Sequence, residues 1–580
     1  PRIGAKMALY VQYDVSPETF ILMYAMLYAI DAAEVRALSE LFFRVQSRVS
    51  VTLSNSTSID GVVLDVSMFE VFASSNAVSN TPAVKAQTAD ARQEEEFEAR
   101  GDAVPVSVVA QPSDSSALVD VSIIVHAGAS MDPEGKKGLA ALTAAMLTDG
   151  GSATWSIQEI NDAMFPIASG FYAQVDKEMT RLSGQVHRDN LDTWYRYVRS
   201  QLLNPGWGEH DFDRVRNQQR NAIRTGLVGN NDEELGKEVL YASIYGSDHP
   251  YGSLNLGHNS DLDAITLDDA RDFYARYYTI NNMTVGISGG YPDSFLARLS
   301  NDLQALPAGE RATVRLPEVP DAERNTVTIV EKETPAVAVS FGFPIDLTRG
   351  DEDWLALWLV RSWLGEHRSE NSHLYKRIRE MRGMNYGDYA YIEYFPRGMF
   401  SMKPGTNLGR QQQIFQVWIR PLRNNNDAHF ATRTAAYEMS KMIENGLSET
   451  DFEATRAFLT KFVSQLTDSQ TRQLAYALDS QYYETGDFAE YVRQGLGDLT
   501  LADVNRVIRE NLRTDNMHYV FVTRDAADMR DRLAGDLPSR VSYDAEKPVE
   551  LLEEDAHIST LGLGIEEQDI SVIAAEKVFE

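Results

Sequence analysis

The feature that most constrains the fold of this chain is an internal repeat. Moving the sequence by 234 positions carries Leu267 onto Leu501 and leaves several nearby residues unchanged. The unchanged pairs are Thr266 and Thr500, Asp269 and Asp503, Asn282 and Asn516, and Met283 and Met517. In both copies a helix-like pattern is followed by a strand-like pattern. A chain of 580 residues is longer than a domain with a single hydrophobic core usually is. The repeat therefore predicts an α+β fold of two homologous mixed α/β domains.

The predicted domain boundaries follow the breaks between these patterns. A first domain is predicted for residues 95–310 and a second for residues 326–545, with the proline-rich, charged stretch 311–325 as the linker. Residues 1–94 are an N-terminal extension to which we assign no function. The tail, residues 546–580, alternates short apolar runs with acids, and we expect it to add a strand or to pack on the second domain.

Composition excludes several classes of function. The net charge of −31, from 85 acids against 54 bases, disfavours binding to nucleic acid. The chain has no cysteine, which excludes thiol catalysis and Cys-based zinc sites. Cysteine avoidance suits a bacterial periplasm but also occurs in the cytosol, and we expect the periplasm. The longest apolar run, residues 20–30, is too short to span a bilayer, so no transmembrane segment is predicted.

A strand, a turn and a helix enclose the most informative residues. The strand pattern covers residues 119–128, an acidic Pro-Glu-Gly turn follows at 131–135, and the helix pattern runs from Lys136 to about Gly150. Three alanines at i, i+3 and i+4 lie on one face of this helix: Ala141, Ala144 and Ala145.

This arrangement resembles the pitrilysin/insulinase family of zinc metallopeptidases, the inverted zincins, whose helix carries H-x-x-E-H. The resemblance implies that the three alanines occupy the positions of two zinc-binding histidines and the general-base glutamate. The family's third ligand, a glutamate roughly seventy-five residues downstream, falls at Asn221 or Ala222 here. The match extends from about residue 95 to residue 544 and implies a duplicated half-clamshell with a degenerate zinc site and no metal of its own. The alternative is an alanine-rich core helix in an unrelated protein.

A second pair of residues carries the remaining chemistry. Arg379 and Tyr386 stand seven positions apart, as do an arginine and a tyrosine that face the zinc in catalytically competent members of the family. The resemblance implies that this phenol stabilises an oxyanion while the guanidinium holds the substrate carbonyl or orients the phenol. In the alternative interpretation, Arg379 pairs with a surface acid and Tyr386 fills a strand edge.

The histidines offer no replacement metal site in the sequence. None of the ten stands three or four residues from another, so no helical ligand pair exists. His126 follows a strand and His249 precedes a turn, and we expect both to be structural.

Together these observations predict a non-catalytic subunit of a heteromeric zinc peptidase, inactive alone. It would form a heterodimer with a zinc-bearing homologue in the bacterial periplasm and supply Arg379, Tyr386 and half of the peptide chamber. Zinc is expected in the partner and no cofactor in this chain. One alternative is a scaffold or assembly protein with this fold and no peptidase role. The other is an independent metallopeptidase with unrecognised ligands.

Overall fold

The computed structural model describes residues 95–319 and 322–580, which belong to one compact unit. The predicted extension 1–94, with the apolar run 20–30, lies outside the described residues, as do two residues of the predicted linker. In the part of the chain that is described, no helix has both the length and the apolar character needed to cross a membrane. The predicted α+β class is confirmed by two mixed sheets with helices packed on them.

The first sheet has five strands in the order β1-β5-β2-β4-β3. Their bounds are β1 Ser107–Pro112, β2 Leu118–Val125, β3 Tyr172–Val175, β4 Thr180–His187 and β5 Met283–Gly289. β1 is parallel to β5, and the other neighbours are antiparallel. Valine and isoleucine side chains of the central strand β2 are buried, which places the first core against this strand.

Helices connect and cover these strands. They are α1 Leu139–Asp149, α2 Ile157–Met164, α3 Leu191–Leu203, α4 Glu209–Asn221, α5 Asp232–Tyr245, α6 Asn259–Ala264, α7 Leu267–Tyr277 and α8 Asp293–Asp302. A π-helical segment, Ala222–Gly229, continues directly from α4. The described residues between Ala305 and Thr326 form neither helix nor strand.

The second sheet has six strands in the order β11-β6-β10-β7-β9-β8. Their bounds are β6 Thr326–Glu331, β7 Val337–Ile345, β8 Gly387–Tyr391, β9 Gln413–Leu422, β10 His518–Thr523 and β11 Ile570–Ala574. The helices of this half are α9 Trp354–Gly365, the π-helical segment Tyr375–Glu380, α10 Asn425–Asn445, α11 Glu449–Leu466, α12 Gln470–Tyr483, α13 Phe488–Asp498, α14 Leu501–Asn511, α15 Ala526–Ala534 and α16 Val549–Ile558. β11, from the tail, pairs with β6 in parallel, so the strand expected there is present.

The two sheets share one topology, which accounts for the sequence repeat. β6, β10, β7, β9 and β8 repeat the order and the strand directions of β1, β5, β2, β4 and β3. The repeated Thr-Leu-x-Asp text begins α7 and α14, where Thr266 and Thr500 each form a capping box with the aspartate three residues later. The same local chemistry therefore starts the same helix in both halves.

One helix of each half packs on the sheet of the other half. Helix α5 of the first half packs on β7 and β10, and helix α12 of the second half packs on β5 and β1. Leu235 and Val239 of α5 share a core with Val520 and Val522 of β10. Because of this exchange, apolar surface is buried continuously between the halves.

Candidate functional site

The alanine helix α1 is held by a buried carboxylate. Asp132 accepts hydrogen bonds from the backbone N–H groups of Gly138 and Ala140, each at 2.7 Å. These groups have no intrahelical partner at a helix start, so Asp132 satisfies them. Burial raises the pKa of Asp132 to about 7, although both N–H groups favour the ionised form. The turn that precedes α1 thus sets the position of the helix.

Two of the three helix alanines line a cavity of about 380 Å³. Ala141 and Ala145 face this cavity from α1, and Ala222 faces it from the start of the π-helical segment. Ala144 does not line it and is fully buried in the core. Asn221 does not line it either, so Ala222 is the residue that occupies the position facing the two alanines.

The residues around this cavity do not fit a zinc ion. Zinc requires nitrogen, sulfur or oxygen ligands at about 2.0–2.3 Å, and the methyl groups of Ala141, Ala145 and Ala222 offer none. The nearby Gln219 amide donates instead to the backbone carbonyls of Gly138 and Leu256. Within residues 95–319 and 322–580, no group of three His, Cys, Asp or Glu residues is arranged to hold a metal. We therefore derive no metal chemistry from this chain.

Arg379 and Tyr386 lie together in a second cavity, of about 410 Å³. Arg379 belongs to the π-helical segment, and Tyr386 immediately precedes β8. The Arg379 guanidinium carbon lies 4.7 Å from the ring centre of Tyr375 and 5.2 Å from that of Tyr386. Its Nη1 donates to the Tyr386 carbonyl at 3.4 Å. The phenol is exposed, with 71% of the residue accessible, so it can meet a ligand.

The charge around this pair is mainly positive. Arg368, Arg379 and Arg420 line the cavity together with one acid, Glu370. Arg420 forms an ion pair with Glu233 of α5. Arg379 has no carboxylate within ion-pairing distance among the described residues, which argues against the surface ion pair considered from sequence. A guanidinium without a counter-ion is available to an acceptor on a ligand.

A buried acid behind the pair was not foreseen from the sequence. Asp388, the second residue of β8, is fully buried and accepts a hydrogen bond from the Asn385 amide. Burial raises its pKa to about 8, although the Asn385 hydrogen bond and the charge of Arg379 oppose the shift. At neutral pH this carboxyl is therefore mostly protonated and does not neutralise Arg379. The only signal in the sequence is an acid inside an otherwise uncharged strand pattern.

The predicted site residues thus form two groups. Ala141, Ala145 and Ala222 share the first cavity, and Arg379 and Tyr386 share the second. The two cavities have no lining residue in common. Sequence reasoning missed the other side chains of the Arg379 cavity: Arg368, Glu370, Tyr375, Tyr389, Met402 and Arg420. Only Tyr375 carried a signal, since it stands four residues before Arg379 at helical spacing.

The structural histidines take the roles expected of them. His126 Nε2 lies 3.0 Å from the Thr284 hydroxyl, and His249 Nε2 lies 2.8 Å from the Gln412 side-chain oxygen. Burial lowers the pKa of His126 to about 3, with a further contribution from Arg311. Both side chains are therefore part of hydrogen-bonded packing.

Comparison with known proteins finds relatives over most of the described chain. A family model described as Insulinase (Peptidase family M16) matches residues 107–248, and one described as Peptidase M16 inactive domain matches residues 264–459. The chain is 24% identical over 268 residues to the Uncharacterized zinc protease YmxG of Bacillus subtilis, a match that covers 46% of this chain and 63% of that protein, less than two thirds of its length.

Two further comparisons extend the match. The chain is 19% identical over 420 residues to the Non-peptidase homolog YmxG of Helicobacter pylori, covering 70% of this chain and 89% of that protein. The solved structure of a peptidase M16 inactive domain from Pseudomonas fluorescens has the same fold, with a TM-score of 0.61 at 19% identity over 72% of this chain and 95% of that chain. The resemblance read from the strand, turn and helix is therefore confirmed. This chain belongs to the insulinase family, peptidase family M16.

Proposed function

We propose that this chain is the non-catalytic subunit of a heteromeric zinc peptidase and forms a heterodimer with a zinc-bearing homologue. The observation that carries the proposal is the contrast between the two cavities. Methyl groups stand at the positions predicted for metal ligands, whereas Arg379, without a counter-ion among the described residues, lies beside the exposed Tyr386. A protein that had lost every catalytic role would have no need for this second arrangement.

The chemistry proposed for this chain is binding and charge stabilisation. The Tyr386 hydroxyl would donate a hydrogen bond to the oxygen of a peptide carbonyl as negative charge develops on it. Arg379, which lies against the faces of Tyr375 and Tyr386, would hold the phenol in place and add positive charge. Metal chemistry would belong entirely to the partner, and this chain alone would not hydrolyse peptides.

The surface beside the pair suits contact with another protein. Tyr386 and Met402, which line the cavity, and Phe400, two residues before Met402, are 71%, 64% and 74% exposed. Large apolar side chains that stay accessible together are typical of interaction surfaces. We propose that this surface contacts the zinc-bearing homologue and the peptide bound to it. The absence of cysteine supports a bacterial periplasmic location for the complex.

The test is a peptidase assay on this chain alone, on a co-expressed homologue with intact H-x-x-E-H, and on the mixture. We expect activity in the mixture and none from this chain alone. Tyr386→Phe should lower kcat of the mixture by about 10²–10³-fold, the usual effect of losing an oxyanion donor. Tyr437→Phe, which removes a hydroxyl outside the Arg379 cavity, is the matched control and should leave kcat unchanged.

Other outcomes separate the alternatives. If this chain binds the homologue but neither its presence nor Tyr386→Phe changes activity, the protein is a scaffold. If the purified chain alone hydrolyses peptides with bound zinc, it is an independent metallopeptidase. Either result contradicts the proposal.

A further inference from the structure

Arg311 is an arginine outside the proposed site, in the irregular segment between Ala305 and Thr326. Among the described residues it has no hydrogen-bond or ion-pair partner. The residue is exposed, so its guanidinium is accessible from solvent, although partial burial lowers its pKa. A guanidinium without an internal acceptor is available to an anionic group of a ligand.

Arg311 stands where two cavities meet. An outer cavity of about 520 Å³ and an inner one of about 200 Å³ share three lining residues, Arg311, His126 and Tyr482. The outer cavity lies between residues of both halves, whereas the inner one reaches the small core cluster under α12. A ligand could therefore enter from the outer cavity and extend inward past Arg311.

The inner cavity combines one charge with an apolar wall. Ile124, Met179 and Leu478 form the apolar part. Among the described residues that line it, Arg311 carries the only formal charge, since burial and Arg311 itself keep His126 neutral near pH 7. Polar contacts are available from Thr284 and Tyr482. This combination suits a ligand with a single negative group and a short apolar group.

The other two arginines of the outer cavity are already paired. Arg410 is paired with Asp176, and Arg349 is paired with Glu393. Three acids, Glu178, Asp351 and Glu484, also line the outer cavity, whereas none lines the inner one. Among the described residues, the arginine that remains without an ion-pair partner is therefore Arg311, at the junction with the inner cavity.

We propose that these paired cavities bind a short apolar carboxylate, with its carboxylate against Arg311 and its apolar group in the inner cavity. The same chemistry is present in a free branched-chain acid and in the C-terminal residue of a peptide. The site is separate from the Arg379 cavity, with which it shares no lining residue, and does not depend on the proposed peptidase role.

The test is calorimetric titration of the full chain with isovalerate, with isovaleramide as the uncharged probe and acetate as the probe without the branched group. We expect isovalerate to bind more tightly than either. Arg311→Gln should weaken isovalerate binding roughly ten- to hundredfold, as expected for loss of a hydrogen bond to a charged group. Arg315→Gln removes the same charge four residues away, lines neither cavity and should leave the affinity unchanged.

Two further measurements sharpen the result. Leu478→Phe, which narrows the inner cavity, should weaken binding of isovalerate more than that of acetate, with the melting temperature checking the fold. If the tripeptide Ala-Ala-Leu binds more tightly than isovalerate, the natural ligand is a peptide C terminus. If isovalerate binds more tightly, the natural ligand is a free acid. The proposal is overturned if isovalerate does not bind, if Arg311→Gln and Arg315→Gln behave alike, or if inorganic phosphate binds as tightly as isovalerate.

Discussion

Single residues decide what the alanine helix can do. Ala141 and Ala145 face a cavity, but Ala144, at the position predicted for the general base, is fully buried. A glutamate there would have to enter space that core side chains already fill, and such overpacking typically costs about 1–3 kcal/mol. On the predicted assignment, histidines at positions 141 and 145 would still lack a base and a third ligand, and packing around Ala144 would oppose a glutamate there.

A first prediction concerns Asp388. Because its pKa is raised to about 8 in the folded chain and is about 4 when unfolded, the folded state binds the extra proton between these values. This residue's contribution to stability is therefore complete below pH 4 and falls by about 1.4 kcal/mol per pH unit up to pH 8. Asp388→Asn should remove this pH-dependent loss. Relative to the parent chain, the variant should therefore be more favoured at pH 8 than at pH 5. Thermal melts across this range measure it.

The control for this prediction is Asp346→Asn, which changes an exposed aspartate of the same half. It should shift the melting temperature equally at pH 5 and pH 8. If Asp388→Asn shows the same dependence on pH as the parent chain, Asp388 is ionised in the folded protein and its charge offsets that of Arg379, contrary to the prediction.

At the scale of elements, the exchanged helices approach the sheets at two glycines. A Cβ on Gly236 of α5 would lie 3.2 Å from the Ser340 hydroxyl of β7. A Cβ on Gly286 of β5 would lie 2.8 Å from a Leu478 methyl carbon of α12. The second contact is closer than side chains tolerate without movement. Both halves therefore place a glycine where the exchanged helix meets the sheet, but there is less space for an added Cβ at Gly286 than at Gly236.

This difference predicts unequal effects of one substitution. Gly286→Ala should lower the free energy of unfolding by about 1 kcal/mol because Leu478 must move within a packed core. Gly236→Ala should lower the free energy of unfolding by less than this or should raise it, because alanine favours a helix by about 1 kcal/mol over glycine. Urea unfolding of both variants measures the two effects. The opposite order would show that α12 adjusts more easily than its packing suggests.

At the scale of the whole molecule, a buried ion pair joins the halves. Arg410, just before β9, donates through Nε and Nη2 to Asp176, between β3 and β4, at 2.8 and 2.6 Å. The two side chains are 1% and 0% exposed. Burial alone would raise the pKa of Asp176, but Arg410 outweighs it and holds the pKa below its usual value. Each charge is therefore tolerated only because the other half supplies its partner.

Breaking this pair should be among the most damaging single changes. Arg410→Met leaves Asp176 buried without a counter-ion and should lower the free energy of unfolding by about 3–5 kcal/mol. Adding Asp176→Asn should recover part of the loss. Arg530→Met, which breaks the exposed pair with Glu567, should cost no more than about 1 kcal/mol. Equal effects of the two arginine variants in denaturant unfolding would contradict a structural role for the buried pair.

The sequence by itself determined the duplicated α+β fold and the family, and it pointed to Arg379 and Tyr386, which the structure places side by side. The assignment of the alanines to metal positions stays a prediction. Local signals were enough to predict these features because each signal lies within one or two helical turns. The signals are the capping boxes at Thr266 and Thr500 and the spacing of the alanines. The domain boundaries, the partner and the roles of the site residues stay predictions.

Only the tertiary structure decided which distant residues meet. Glu233 and Lys237 of α5 form a charged pattern that is typical of an exposed helix face, yet both are buried, and Lys237 Nζ lies 3.6 Å from the ring centre of Trp418 in the other half. Arg420 and Arg311 likewise owe their environments to segments far away in the chain. Burial and electrostatic pairing depend on every element packed around a group, and this information is not contained in any short stretch of sequence.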